Sequence, residues 1–234
     1  MICSVLFDLD GTITDPKDGI TRCIQFSLGR LGVEAPRADE LVWCIGPPLR
    51  ASFSRLLRTS EDTLLDAALS HYRERFSEIG IYENVVYPGI IPALHKIRAT
   101  GFRVFLATSK PTVYASRILN HFGLTQFFHG IYGSELDGRL SDKGDLVAHI
   151  LKTEGLNPQL TLIVGDRSHD IIGGKKNGTV TAAVTYGYGS QDEIEEAEPD
   201  FIFRSPSGLA AFLESEATES GGASNRREKA PAPG

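Results

Sequence analysis

Short apolar runs recur along the chain, separated by stretches with helical spacing. Residues 2–7 are almost continuously apolar and rich in Ile and Val, as expected of a strand buried on both faces. Residues 102–107, 160–164 and 180–184 have the same character, and Phe201-Ile202-Phe203 makes a shorter fifth run. Between them, Val113, Ala115, Ile118, Leu119 and Phe122 mark a helix over 111–122 that Gly123 ends. Leu146, Val147, Ile150 and Leu151 mark another over 143–154, ended by Gly155. Strands alternating with helices predict right-handed crossovers, and so an α/β fold with a doubly wound, Rossmann-like parallel sheet.

Residues 14–84 break this rhythm. They carry helical patterns (Ile20, Ile24, Leu28 and Leu31, then Leu64, Leu65, Ala68, Tyr72 and Phe76) and no convincing strand. A wholly helical block after the first strand predicts an inserted cap domain, with Trp43 and Phe53 in its core. The chain returns to the sheet at Tyr87-Pro88-Gly89. The expected division is 1–13 with 85–214 as the core and 14–84 as the cap. Residues 215–234, almost devoid of apolar side chains, are expected to be a disordered tail.

Composition narrows the class of protein. With 41% hydrophobic and 23% charged residues the chain has the makeup of a globular domain. Its net charge of −6 argues against nucleic acid or an anionic membrane as the main partner. That charge leaves room for an anionic substrate, because a bound cation and a few local lysines set the field of a site. No apolar stretch approaches the roughly 18 residues of a membrane span, nor is there a basic-then-apolar leader, so a cytoplasmic location is the default. The three cysteines, Cys3, Cys23 and Cys44, lack paired or ligand spacing and read as reduced, buried thiols. The sequence does not separate a monomer from a homodimer.

Candidate chemistry sits where the apolar runs stop. The first ends in Asp8-Leu9-Asp10-Gly11-Thr12, the second in Thr108-Ser109-Lys110-Pro111 and the third in Gly165-Asp166-Arg167-Ser168-His169-Asp170. Each has a plain structural reading: Asp10-Gly11 as a turn, Thr108 and Asp166 as helix caps, Asp170 and Lys143 as solvated helix residues. In an open parallel sheet, however, the carboxyl ends of strands form the ligand crevice, and three ends here deliver hydroxyls and carboxylates to one edge. Clustered acids need a counter-charge. Hard carboxylate oxygens with positions left for water and phosphate suit Mg²⁺, and Lys143 can supply a further positive charge.

These motifs resemble those of the haloacid dehalogenase-like hydrolase superfamily, in particular its phosphatases with a helical cap inserted after the first motif. Asp8-Leu9-Asp10-Gly11-Thr12 is similar to the first motif, Thr108 to the second, Lys143 to the third, and Asp166 with Asp170 to the fourth. The stretches Ile45-Gly46-Pro47-Pro48-Leu49 and Thr185-Tyr186-Gly187-Tyr188-Gly189 resemble the branch of phosphoglycolate phosphatases and 5′-nucleotidase-like enzymes. The resemblance implies a Mg²⁺-dependent phosphatase acting on a small phosphomonoester, with Asp8 as nucleophile and Asp10 as general acid and base. It implies that the Asp8 carboxylate, the Asp10 carbonyl, Asp166 and Asp170 serve the metal, and that Thr108, Ser109 and Lys143 hold phosphate oxygens.

Arg50, beside the Gly-Pro-Pro-Leu turn, is the candidate for contacting the rest of the substrate; its plain reading is a surface helix arginine. Phosphoglycolate phosphatases usually follow the third-motif lysine with proline, whereas Gly144 stands here, closer to the 5′-nucleotidase-like group. Against a nucleotide, residues 14–84 show no cluster of aromatics for stacking a base. The alternatives are a sugar-phosphate mutase of the same superfamily and a non-catalytic regulatory relative, which the intact motifs disfavour.

Overall fold

The computed structural model describes residues 2–224. The chain runs through β1 (Ser4–Phe7), β2 (Thr14–Asp15), α1 (Lys17–Arg30), α2 (Leu49–Leu57), α3 (Asp62–Arg75), β3 (Val85–Val86) and α4 (Ile90–Ala99). It continues through β4 (Arg103–Pro111), α5 (Thr112–His121), β5 (Gly130–Ser134), α6 (Lys143–Glu154), β6 (Thr161–Gly165) and α7 (Ser168–Lys176). Last come β7 (Val180–Val184), α8 (Gln191–Ala197), β8 (Phe201–Phe203) and α9 (Pro206–Ser224). Six strands form one parallel sheet in the order β5-β4-β1-β6-β7-β8.

Strand periodicity decides which helix each residue meets. Leu6, Phe105, Ala107 and Ile163 project to one face and pack on Leu146, Val147 and Ile150 of α6. Val5, Phe7, Val104, Leu106, Leu162 and Val164 project to the other, into a core shared with Leu94, Ile118, Leu119 and Leu209. All four residues of β1 are buried, which explains why its sequence is a run rather than an alternation.

Register then places the chemistry. Phe7 pairs with Leu106 on one side and Val164 on the other. Asp8 therefore leaves the sheet beside Ala107 and Gly165, and Thr108 and Asp166 follow one step on. A register irregularity between Thr108 and Pro111 turns Ser109 and Lys110 away from regular pairing.

Between β2 and β3 the chain is helical apart from its connecting loops. α1 and α3 pack together through Ile24, Leu28, Leu65 and Ala68, and the buried Ser27 hydroxyl donates to the Ala68 carbonyl at 2.7 Å. α3 runs on into a π turn, Phe76–Gly80. The two linkers lie side by side as an antiparallel pair, Thr14 with Val86 and Asp15 with Val85.

Several expectations change. Residues 14–15 and 85–86 are paired strands, too short to leave a pattern. β5 was not anticipated, because an edge strand with two glycines and a single half-buried aromatic, Tyr132, shows no apolar run. Phe53 is fully buried, but Trp43 is only partly so and lies under the Arg55 guanidinium, 4.3 Å from its ring. Cys23 and Cys44 are buried as expected, but Cys3 is exposed: its backbone is bonded to Leu160 and Arg103 while its thiol faces out. The expected disordered tail begins inside α9, which stays helical to Ser224, and Glu216 accepts from the Ile2 amide at 3.1 Å; the remainder, 225–234, lies outside the described residues. Among the described residues no helix is long and apolar enough to cross a membrane.

Candidate active site

Asp8, Asp10, Thr108, Lys143, Asp166 and Asp170 are all buried at the carboxyl edge of β1, β4 and β6. Asp8 follows β1 with its amide bonded to Val164 O at 2.9 Å. Lys143 opens α6, capped by the Asp142 carboxylate on the Asp145 amide. Its ammonium lies 2.8 Å from each of three oxygens: Asp8 Oδ1, Asp170 Oδ1 and the Ala107 carbonyl. Two of these contacts, to Asp8 and Ala107, are hydrogen bonds, and the third, to Asp170, is an ion pair. Asp170, in the first turn of α7, also accepts from the Arg167 amide at 3.2 Å. Asp166 accepts from the Tyr188 amide at 2.7 Å, with Thr12 Oγ1 at 3.5 Å.

One oxygen from each of Asp8, Asp166 and Asp170 lies within 4.8 Å of the others. Burial drives the Asp8 pKa up to about 6, with the charges of Asp170 and Asp10 adding to it against the opposing pull of Lys143. Burial likewise holds Asp166 well above the usual carboxylate range, reinforced by Asp8 and Asp170. Burial disfavours the Lys143 charge, but Asp170 and Asp8 outweigh it and keep the ammonium protonated. The fourth acid, Asp10, pairs through Oδ2 with Lys110 at 2.9 Å, while its buried Oδ1 has no hydrogen-bond partner. Fully ionised, four carboxylates facing two lysines would carry two uncompensated negative charges. Three hard oxygen donors with that residual charge fit a divalent cation such as Mg²⁺.

Thr108 is buried beside the cluster, and its hydroxyl accepts from the Lys110 amide at 3.3 Å. Ser109 lies at the strand irregularity, its carbonyl bonded to the Ser134 hydroxyl at 2.8 Å. Arg50 stands apart from the carboxylates. It sits in the first turn of α2, half-exposed, with its guanidinium on Asp62 and Asp66 of α3 at 2.5 Å each. It does face the cavity described below.

Sequence reasoning missed three features. Lys110 has no role in the motif reading; its side chain, 6% exposed, pairs with Asp10 and rests 4.6 Å from the Phe76 ring centre. Arg167, given no role in the sequence, bridges the end of β6 to the Ile45 carbonyl. The glycine-rich 185–189 segment forms a wall behind Asp166: a Cβ on Gly187 would stand 2.4 Å from the Asp166 Cβ and 2.3 Å from the Gly11 carbonyl. Its tyrosines bond the linker, Tyr186 to the Thr12 carbonyl at 3.0 Å and Tyr188 to Asp15. Gly187→Ala is expected to destabilise the fold by about 1–3 kcal/mol through overpacking and to displace Asp166. The check is a lowered melting temperature together with weakened Mg²⁺ binding in calorimetry.

A cavity of about 680 Å³ opens from Asp10 toward the cap, with Ser109 and Lys110 at its floor and Pro48, Arg50 and Arg73 on the cap side. Its wall contains an aromatic cluster that the cap sequence did not reveal, because one member comes from the core. Tyr72 and Phe76 stack at 5.3 Å, and Tyr114 of α5 meets Phe76 edge-on at 5.3 Å. Tyr72 and Phe76 are largely covered by their neighbours, so Tyr114, half-buried, offers most of the free ring surface.

The chain is similar to known proteins over most of its length. The chain is 43% identical over 212 residues to a 5′-nucleotidase of Pseudomonas aeruginosa, covering 91% of this chain and 96% of that one. It is 38% identical over 198 residues to the tyrosine-protein kinase PtkA of Mycobacterium tuberculosis, covering 85% of this chain and 67% of that one. Among solved structures, a predicted phosphatase from Clostridium acetobutylicum superposes with a TM-score of 0.87 at 37% identity, covering 91% of this chain and 99% of that one. The family model for haloacid dehalogenase-like hydrolases matches residues 5–184. This chain belongs to the haloacid dehalogenase-like hydrolases.

Proposed function

We propose that this enzyme is a Mg²⁺-dependent phosphatase that hydrolyses a small phosphomonoester through a phosphorylated Asp8. The observation that carries the reading is the buried group Asp8, Asp166 and Asp170, which brings oxygens within 4.8 Å of one another and has Lys143 on two of its members. Asp8, Asp166, Asp170 and the Asp10 carbonyl would hold the cation. When bound, it screens the charge of the phosphate and of the carboxylate that attacks it.

In the first step Asp8 Oδ attacks phosphorus and the bond from phosphorus to the leaving oxygen breaks. The departing oxygen takes its proton from the Asp10 carboxylic acid. In the second step Asp10, now a carboxylate, accepts a proton from a water whose oxygen attacks phosphorus. Inorganic phosphate leaves and the Asp8 carboxylate is restored. With the Asp8 pKa near 6, the nucleophile is ionised at neutral pH even without a metal. Lys143 keeps its oxygen oriented, and Thr108 and Ser109 are the donors for phosphate oxygens. The helices of 14–84 act as a cap that excludes water and selects the substrate.

A nucleoside monophosphate is favoured over phosphoglycolate. The cavity is larger than a two-carbon leaving group requires, Tyr114 offers a ring face, and the Pseudomonas relative bears the 5′-nucleotidase name. The kinase name of the mycobacterial relative supports a second reading, transfer of the phosphoryl group to an acceptor other than water, as a sugar-phosphate mutase also does. The deciding experiment measures phosphate release from nucleoside monophosphates, phosphoglycolate, pyrophosphate and sugar phosphates, with Mg²⁺ and with chelator. Mg²⁺-dependent release, highest for a nucleotide, supports the proposal; transfer or isomerisation without release supports the second reading.

Arg50 is proposed to orient the leaving group from the cap side. Arg50→Ala is expected to raise KM several-fold for the preferred substrate with little change in kcat. Unchanged KM and unchanged substrate preference would remove it from the site, leaving its pairs with Asp62 and Asp66 as its role.

A further inference from the structure

Two segments singled out in the sequence touch each other, and the catalytic scheme uses neither contact. One is Ile45-Gly46-Pro47-Pro48-Leu49 in the cap; the other is Gly165-Asp166-Arg167-Ser168-His169-Asp170 at the end of β6. Arg167 joins them. Its main chain lies between two of the clustered acids and its amide donates to Asp170 Oδ2 at 3.2 Å. Its side chain, 11% exposed, leaves the core and donates through Nη1 to the carbonyl of the fully buried Ile45. Nε donates to Glu193 of α8 at 2.9 and 3.2 Å, and the same carboxylate accepts from the amide and hydroxyl of Ser168 at 2.9 and 3.0 Å.

The cap side is shaped around this guanidinium. Gly46 has φ +102, and a Cβ there would stand 2.9 Å from Arg167 Cγ. A side chain at 46 would force Arg167 aside. Two other arginines cross the same seam, each onto a backbone carbonyl: Arg73 of α3 to Leu136 at 2.8 Å, and Arg117 of α5 to Ser77 at 2.6 Å. Neither of those is attached to an acid-bearing loop. Arg167 alone of the three shares a loop with Asp166 and Asp170.

We propose that Arg167 is a positioning residue that couples closure of the cap to the arrangement of the Asp166–Asp170 loop. Its charge is already compensated by Glu193, which fixes the guanidinium in place, so the Ile45 carbonyl acts as the movable partner. With the cap closed, the charge-assisted bond to Ile45 holds Arg167, and through its main chain holds Asp166 and Asp170 at the separation that a cation needs. With the cap open that bond is absent and the loop is restrained from one side only. Coupling of this kind is reciprocal: a cation on the acids must favour closure as much as closure favours the cation.

The inference rests on the reading that these acids bind Mg²⁺, and the test separates the two. Calorimetry with MgCl₂ alone measures cation affinity, and hydrogen exchange with and without MgCl₂ reports protection of the segment 38–50. In the wild type Mg²⁺ is expected to bind and to slow exchange over 38–50. In Arg167→Met affinity is expected to fall roughly tenfold, the usual effect of removing a group that orients a ligand. At MgCl₂ concentrations that saturate the variant, the slowing over 38–50 is expected to disappear, while Arg167→Lys keeps part of it. A merely structural role would lower the melting temperature of Arg167→Met but leave the Mg²⁺-dependent protection in place, which would overturn the proposal. Mg²⁺ binding to the wild type without any change over 38–50 would overturn it too, with the metal reading intact. Absence of Mg²⁺ binding to the wild type would instead overturn the metal reading and the coupling with it.

Discussion

Asp8→Asn is expected to leave a folded protein whose phosphatase activity is reduced by roughly 10⁴-fold or more, to the background of the assay. The substitution is nearly isosteric, and a neutral amide oxygen is too weak a nucleophile to attack phosphorus as a carboxylate does. Folding is expected to survive because Lys143 keeps Asp170 and the Ala107 carbonyl as partners. The effect on stability runs the other way. Asp8 has a folded pKa of about 6 against an ordinary 3.8, so it binds its proton more tightly in the folded state. The stability this contributes is complete below about pH 4 and is lost as pH rises through about 6. An asparagine has no proton to lose. Metal-free Asp8→Asn should therefore melt at or above the wild type at pH 7.5, with the difference, on the order of 1–3 kcal/mol, shrinking toward pH 4. Mg²⁺ should narrow it as well, since the cation stabilises only the ionised wild-type site. Thermal melts at both pH values, with and without Mg²⁺, check this; retained turnover in purified Asp8→Asn would sink the nucleophile assignment.

The second large effect is expected at Lys143. Its ammonium makes three contacts of 2.8 Å in a fully buried position. Lys143→Met removes the charge and keeps much of the chain's bulk. Asp8, Asp166 and Asp170 then face one another without their cation, and removing one partner from a buried ion pair typically costs about 3–5 kcal/mol. Activity is expected to fall by roughly 10²–10³-fold, the usual consequence of losing a group that stabilises developing charge. Mg²⁺ should restore more of the melting temperature than of the activity, because it neutralises the acids without replacing the oriented donor. Arginine is not expected to rescue, since a planar fork does not match three acceptors around a point charge. A Lys143→Met enzyme within threefold of wild type would show that the lysine serves only the fold.

The parallel sheet and the helices over 111–122 and 143–154 could be read from the sequence because a buried strand and an amphipathic helix leave different periods. The strand ends carrying Asp8, Thr108 and Asp166 were readable for the same reason, since polar residues stop apolar runs sharply. What stayed hidden depends on contacts between segments distant in the chain. Arg167 and Ile45 are 122 positions apart, and nothing in either neighbourhood announces the bond. The aromatic wall joins Tyr72 and Phe76 to Tyr114 across the cap seam, so a search of the cap alone could not find it. Lys110 was overlooked because a lysine after a strand is ordinarily solvated; here the irregularity in β4 turns it inward to Asp10. β5 and the paired linkers were lost to shortness and glycine content, and residues 215–224 are helical against expectation because a helix needs few apolar residues when one edge packs.

Covalent chemistry at Asp8 is tested most directly by rapid quenching in acid during turnover. The wild type and Asp10→Asn are mixed with Mg²⁺ and the preferred phosphomonoester, quenched, digested and analysed by mass spectrometry. A phosphoryl adduct is expected on the peptide bearing Asp8, longer-lived in Asp10→Asn because the water that hydrolyses it has lost its base. Phosphate release at full rate with no adduct on that peptide, or with the adduct on another residue, would contradict it.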